Sequence, residues 1–548
     1  MENTPELDTG NAVELTPLAR VFGAHLKHSS TAAPDVMAAL GEKLVMARRA
    51  GDSFIELDEN ELQAVKANPF LTSPAEGLLR LEGNHLYLFR EYRDEVTAAE
   101  SIAAKLKVTI PEYTVEESDF PEYFNSEQKN AVRNSLNSSF SIISGGPGTG
   151  KTTVIAALVA LEVKRNKAIN IAIAAPTGKA AELLTQGLKD TPHPIKARTL
   201  HSLFKASSDT SRFGKNSAEP LACDLLIIDE SSMLSLDTVA KVLKGLPRES
   251  RLVLSGDHCQ LEAIGSGAVL QSLLCCKTPD TPSGRLLEKA GAELLINYRS
   301  KEAPVIQTLA RDIREEKLTP QELTDKIVNT QSPDFTCRRA EKDFYAVITA
   351  AAEAHWKKLP ATAKKMSAEN IQKAFEILKS FRIVTAAREG KEGCTAINRK
   401  ILEKLRIPSI HAPGSAVLIT QNCRRTGLSN GDVGIIFADT GSGTLKAVFE
   451  HLENPLSIYE LPPHESAFAM TVHKAQGSGF AEVFFQLPSK ENGLLSRELF
   501  YTALTRAAKK ITVCGAPDVI RYALEHRSLR KTMLAERILR ELDLKNEK

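Results

Sequence analysis

Eight consecutive residues, Gly145-Gly146-Pro147-Gly148-Thr149-Gly150-Lys151-Thr152, carry the plainest chemistry in this chain. They fit G-x-x-x-x-G-K-[ST], leave an apolar strand read over 140–144, and run into a helical stretch that begins at Thr153. Glycines let the backbone N–H groups turn inward around phosphates, and a helix N-terminus adds positive potential. Lys151 would neutralise the outer phosphates of ATP, and the Thr152 hydroxyl would ligate Mg2+. The strand-loop-helix context sets this run apart from an ordinary glycine-rich turn.

The acids that such a loop needs lie 78 residues beyond Lys151, where the apolar strand 225–228 ends in Asp229-Glu230. Buried strands often end in an acid; here Asp229 would hold Mg2+ through water and Glu230 would polarise the attacking water. A third strand, 252–255, ends at Gly256-Asp257 and is followed by Gln260, whose amide can sense the γ-phosphate and that water. Two arginines complete the set: Arg299 in Asn297-Tyr298-Arg299-Ser300, and Arg506 on a helix read over 497–509 with Leu499, Thr502 and Ala503 on one face. Arginines reaching across a cleft would make hydrolysis depend on closure between two domains.

Positioning these groups takes a particular architecture. From about residue 126, nearly continuous apolar strands alternate with helical segments, the pattern of a parallel sheet covered on both faces. A second α/β block follows from about 300. It is interrupted over 408–465 by short strands and the turn Asn430-Gly431-Asp432, which read as a small antiparallel barrel. Residues 1–110 are mainly helical, with Leu15, Leu18, Val21, Phe22 and Leu26 at helical spacing able to build a small core. Residues 111–125, acidic and carrying two prolines, read as a linker.

Composition narrows the class. The 548 residues predict three or four domains, and 42% hydrophobic with 25% charged is ordinary for a globular chain. No apolar run is long enough to span a bilayer, and the acidic start resembles no secretory signal, so the expectation is a cytoplasmic protein without a membrane partner. The eight cysteines form no C-x-x-C pair and read as reduced thiols. Net charge is only +2, but residues 1–122 carry 22 acidic and 11 basic side chains, so an acidic N-terminal piece precedes a basic body. A basic body is compatible with nucleic acid.

Taken in order, Gln128, GGPGTGKTT (145–153), APTGKAA (175–181), TLHSLF (199–204), LLIIDESSM (225–233), SGDHCQLEAIGSGAVL (255–270), NYRS (297–300), AMTVHKAQGS (469–478) and LFYTALTRA (499–507) resemble the motif set of the RecD family. These are superfamily 1 DNA helicases, alpha subunits of exodeoxyribonuclease V (RecBCD). The resemblance spans roughly 126–510 and extends to REGKEGCTAIN (388–398), LSNGDVG (428–434) and the N-terminal region. It implies two RecA-like motor domains, 126–300 and 301–407 with 466–548, and an SH3-like barrel inserted at 408–465. It also implies a mainly helical docking domain at 1–110 and a strand-parting hairpin at 205–221. ATP would lie between the motors, with Gln128 facing the adenine. Single-stranded DNA would cross their tops on Pro176, Thr177, Lys179, Thr199 and His201 of the first motor and Thr471 and His473 of the second. Short hydroxyls, a lysine and histidines hold phosphates and stack on bases without reading sequence.

The implied activity is 5′-to-3′ unwinding at duplex ends, in double-strand-break repair, within a heterotrimer with RecB-like and RecC-like subunits. One position departs from the family pattern: Gly479 follows Gln476-Gly477-Ser478 where the family usually has Glu, which puts ribose recognition in question. A stand-alone helicase and a hydrolysis-dead structural subunit are the competing readings. The first would carry an N-terminal helix-hairpin-helix portion, and the second would have lost Lys151, Asp229, Glu230, Gln260, Arg299 or Arg506; this chain shows neither feature.

Overall fold

A computed structural model describes residues 16–543 except 74–76, 192–194, 206–212, 217, 264, 277–279, 299–302, 340–342, 424, 440 and 442. Two parallel sheets organise the α/β body. The first has six strands in the order Arg198–Thr199, Ile171–Ala175, Leu225–Ile228, Arg251–Gly256, Phe140–Gly145, Gly291–Leu294. Phe140, Ile142, Leu226, Ile228, Leu252 and Leu254 face one core, and Ile143, Leu225, Ile227 and Val253 face another on the opposite side. A strand whose alternate residues both meet apolar layers has no polar face, so it reads as a continuous apolar run.

The second sheet runs Phe335–Arg338, Ala507–Cys514, Phe480–Gln486, Phe381–Thr385, Ala469–Thr471, again all parallel. Between Phe381–Thr385 and Ala469–Thr471 in sequence lies a five-stranded antiparallel sheet, from Ala416–Ile419 to His464–Ser466. Its turn packs against the first sheet's layer: a Cβ at Gly178 would lie 3.2 Å from the Ser429 side chain and 3.3 Å from Asp432. No helix among the described residues is long and apolar enough to cross a membrane.

The N-terminal region is mainly helical and adds a small sheet to its sequence reading. It holds helices and a three-stranded antiparallel sheet, Phe54–Glu56, His85–Leu88 and Leu79–Glu82. Leu26 is fully buried, but Leu18 and Val21 are 63% and 67% exposed, because the helix Pro17–Ser29 packs on Pro34–Ala50 through a narrow stripe. Leu15 lies outside the described residues. The expected boundary at 110 follows a helix, Phe89–Leu106, whose Ala98, Ala99, Ile102 and Ala103 belong to a core of the first sheet. The expected linker is not free either. Val115, Phe120 and Phe124 are buried in the sheet's other core, since these apolar side chains outweigh the acidic ones around them.

At the other end, the helix Leu534–Asp543, expected with the second motor, puts Leu534, Ile538 and Leu542 into the first sheet's core. The hairpin expected at 205–221 falls in part on 206–212 and 217, outside the described residues, and the described remainder contains no strand.

Candidate nucleotide and nucleic-acid site

The phosphate loop, the two acids and Gln260 leave the carboxyl ends of parallel strands of the first sheet. The glycine loop follows Phe140–Gly145, Asp229 and Glu230 follow Leu225–Ile228, and Asp257 and Gln260 follow Arg251–Gly256. Open parallel sheets bind ligands at this edge. The second sheet faces it with the segments that enter two of its strands, Gly477–Gly479 and the turn around Arg506. A cavity of about 580 Å³ lies between them, large enough for a nucleotide.

Gly148 and Gly150 have φ of 86° and 89°, a left-handed backbone that glycine adopts without strain. At Gly150 a Cβ would also come within 2.5 Å of the Gln128 amide nitrogen. Lys151 opens the helix Lys151–Arg165, and its Nζ donates to the Gly145 and Gly146 carbonyls at 2.6 and 3.2 Å. Pro147, Gly148, Gly150, Lys151, Thr152 and Thr153 line the cavity. Gly145, Gly146 and Thr149 build the loop from behind, with the Thr149 hydroxyl donating to the Gly146 carbonyl at 2.8 Å. Gln128 also lines the cavity. Its carbonyl accepts from the Asn125 N–H at 3.2 Å and its amide donates to the Thr149 carbonyl at 3.1 Å, which leaves one amide hydrogen for a ligand.

Asp229 and Glu230 meet the same cavity. Asp229 accepts from the Ser255 hydroxyl at 2.8 Å. Glu230 sits at φ 51°, a strained conformation for a non-glycine residue and of the kind that clusters at functional sites. Burial pushes the Glu230 carboxyl above the usual carboxylate range and Asp229 adds to this, while Lys151 and Arg506 pull it back. Thr152, Asp229 and Glu230 offer hydroxyl and carboxylate oxygens, the donor chemistry of a hard cation such as Mg2+.

Arg506 is buried in the cavity wall, donating to the Thr502 and Ser478 carbonyls at 3.1 Å each. The helix expected over 497–509 ends at Leu504, because Ala507–Cys514 is taken into the second sheet; Arg506 therefore sits in the turn between them. Arg299 lies outside the described residues. Its neighbour Tyr298 lines the cavity, with its N–H on the Gly148 carbonyl at 2.8 Å. Tyr123, on the rim, was not singled out in the sequence, nor were Tyr298 and Tyr501. Aromatics flanking a motif, in the acidic stretch before Gln128 and beside Arg299, were the available signal. Gly479 borders open space, since a Cβ there would meet nothing within 4 Å.

The residues matched to DNA contact share a local design. Thr177, Thr199 and Thr471 each cap the helix that follows a strand, accepting from the N–H of Ala180, Ser202 and Lys474. Each hydroxyl hydrogen is thereby left to donate. Pro176 and Lys179 flank Thr177, and Lys179 is paired with Glu182 at 3.0 Å. His201 is exposed, with Phe213 edge-on at 5.9 Å. Burial lowers the pKa of His473, so its imidazole is neutral at pH 7. Gly477, four residues beyond His473, approaches the first set: a Cβ there would lie 3.7 Å from Ala180 and 3.8 Å from the Thr177 hydroxyl.

Comparison with known proteins matches residues 128–266 to an AAA domain and residues 466–514 to a UvrD-like helicase C-terminal domain. The chain is 30% identical over 518 residues to the RecBCD enzyme subunit RecD of Haemophilus influenzae, spanning 82% of this chain and 80% of that protein. It is 32% identical over 510 residues to the subunit of the same name from Mycobacterium tuberculosis, spanning 87% and 84%. The ATP-dependent RecD2 DNA helicase of Deinococcus radiodurans is 27% identical over 408 residues, spanning 72% of this chain and 50% of that protein. Among solved structures, Bacteroides Pif1 bound to ssDNA aligns at 18% identity over 72% of this chain and 92% of that one, with a TM-score of 0.39.

Proposed function

This chain belongs to the RecD family of RecBCD enzyme subunits, and from that membership we propose that its two parallel sheets are RecA-like motors driving 5′-to-3′ movement along single-stranded DNA. The protein is an ATP-dependent DNA helicase of RecBCD-type repair. One observation carries the assignment of its site: Lys151, Asp229, Glu230, Gln260 and Arg506, drawn from both sheets, line one nucleotide-sized cavity.

In this reading the glycine loop and Lys151 hold the phosphates, and the remaining amide hydrogen of Gln128 meets the adenine. Thr152 and Asp229 would hold Mg2+, which would supply charge neutralisation at the phosphates. Glu230 accepts a proton from the attacking water as its oxygen bonds to the γ-phosphorus and the bond to the leaving diphosphate breaks. Arg506, with Arg299, stabilises the charge that develops. Gly479 offers no side chain to the ribose where the family usually has Glu, so no sugar contact is assigned to that position.

DNA lies across Pro176, Thr177, Lys179, Thr199 and His201, then Thr471 and His473, held by hydroxyl and cationic contacts that do not depend on base identity. The antiparallel sheet over 416–466 serves as the SH3-like insertion. Docking to RecB-like and RecC-like subunits, in the cytoplasm, falls to the acidic N-terminal region, whose helix Pro17–Ser29 presents Leu18 and Val21 outward.

The test is ATP hydrolysis and strand separation on duplexes with a 5′ or a 3′ tail. The wild type is expected to hydrolyse ATP in response to DNA and to open the 5′-tailed substrate. Lys151→Ala is expected to abolish both while the protein still folds, because it removes a charge at the cavity wall, on the first turn of a helix, rather than from a core. Near-normal turnover by a folded Lys151→Ala protein would sink the site, and preference for the 3′ tail would sink the polarity.

A further inference from the structure

Asp257 is wholly buried at the junction of the two sheets, and no basic side chain among the described residues forms an ion pair with it. Its hydrogen-bond donors are neutral, and the charge of Arg314, itself paired with Glu293, acts on it from beyond ion-pair distance. Its Oδ1 accepts from the Cys259 N–H at 3.2 Å, and its Oδ2 accepts from the Gln260 amide at 3.0 Å and from the Tyr501 hydroxyl at 3.1 Å. Tyr501 comes from the other half of the molecule, on the helix Arg497–Leu504 that leads to Arg506. Burial, with Asp257 adding to it, keeps the Tyr501 phenol far from ionising, so it is always a donor here.

A carboxylate can only accept, so Gln260 must turn its NH2 toward Asp257 and its carbonyl oxygen away. That oxygen is buried and has no hydrogen-bond partner among the described residues, while Gln260 lines the nucleotide cavity. A buried acceptor without a donor is costly unless something in the cavity donates to it. A water poised to attack the γ-phosphorus is such a donor.

The same segment is gripped from the second sheet's side at two further points. The Thr502 hydroxyl oxygen accepts from the Leu261 N–H at 2.8 Å, and the Gln476 amide donates to the Leu261 carbonyl at 2.6 Å. The orientation of Gln260 therefore depends on groups that reach it only when the two sheets are docked.

We propose that Tyr501 is a positioning residue for ATP hydrolysis: its hydroxyl fixes Asp257, which fixes the Gln260 amide with its oxygen toward the attacking water. Hydrolysis is thereby conditional on closure of the cleft, through a residue that touches neither nucleotide nor water. The proposal rests on the assignment of the cavity to ATP.

The test uses the full-length chain in DNA-stimulated ATP hydrolysis, with Tyr501→Phe, Asp257→Asn, Gln260→Ala, the Tyr501→Phe/Gln260→Ala double variant and Lys151→Ala side by side. Tyr501→Phe keeps the ring and loses only the hydroxyl. It is expected to lower kcat about 10–100-fold with KM for ATP within about twofold. In the Gln260→Ala background the same change is expected to have no further effect, since Tyr501 acts through Gln260. Asp257→Asn is nearly isosteric, but its single amide oxygen can keep the Gln260 and Tyr501 hydrogens only by setting its NH2 against the Cys259 N–H, so it should lower kcat in the direction of Gln260→Ala whatever the stability of the tyrosine variant.

Unchanged kcat in Tyr501→Phe, a loss confined to KM, or an undiminished loss in the double variant would each overturn the relay. With Lys151→Ala inactive, any of these results refutes the relay alone. Turnover by Lys151→Ala would refute the ATP site and the relay together.

Discussion

At the scale of single residues, the site is a balance of charge around Glu230. Arg506 is already held by two carbonyls before any phosphate arrives, so it spends no ordering entropy on reaching the transition state. Arg506→Ala is expected to lower kcat on the order of 10³-fold, the scale of an arginine finger. It should also change the pH profile. Glu230 must be ionised to accept a proton, and Arg506 is one of two cations that pull its carboxyl pKa down. Removing that cation favours the protonated acid, so the acid limb of residual kcat should move to higher pH; an unmoved limb would contradict this placement. The loop, the two acids and Gln260 were legible because each ends an apolar strand and needs only local sequence. The Asp257–Tyr501 bond was not, since its partners lie 244 positions apart.

At the scale of elements, the helix Phe89–Leu106 shows where sequence periodicity misleads. Its spacing announces an apolar face but not which layer that face will cover. It covers the first sheet, beside Leu534, Ile538 and Leu542 of the last described helix. Ile102 is fully buried there, so Ile102→Ala should lower the stability of the first sheet by about 2–5 kcal/mol, read by thermal or denaturant melting. Deleting residues 1–110 should likewise cost the remaining motor its cooperative melting, by stripping Ala98, Ala99, Ile102 and Ala103 from this core. A truncated chain with the parent melting temperature and full ATPase would show that the cover is dispensable. The exposed Leu18 and Val21 of Pro17–Ser29 take no part in this packing.

At the scale of the whole molecule, the chain's last described stretch ties the N-terminal region to the motors. Arg530 donates to the Ala263 and Gly265 carbonyls at 2.6 and 2.8 Å, just beyond Gln260. The Lys531 N–H donates to the Asp52 carboxylate at 2.8 Å, and the Lys531 carbonyl accepts from the Ser53 N–H at 2.8 Å. Arg537 then meets the fully buried Glu95 at 2.8 Å, with Tyr87 and Glu82 alongside. Arg537→Ala would leave the Glu95 charge buried without a cation, a loss of about 3–5 kcal/mol. Adding Glu95→Gln should recover much of it. Denaturant melting of the single and double variants checks both, and a double variant as weak as the single would show that packing, not charge, governs the joint.

The sequence by itself determined the chemistry of this protein. Its loop and acids follow strand ends, and a parallel strand between two apolar layers leaves a signature of short range. The family followed from the order of those motifs. Tertiary structure alone decided what covers the first sheet, where the acidic stretch 111–125 packs, where the helix before Arg506 stops, and how Tyr501 meets Asp257. Each of those outcomes depends on which apolar face finds which partner across hundreds of residues. That choice is made by the area each pairing removes from water, and no local spacing encodes it.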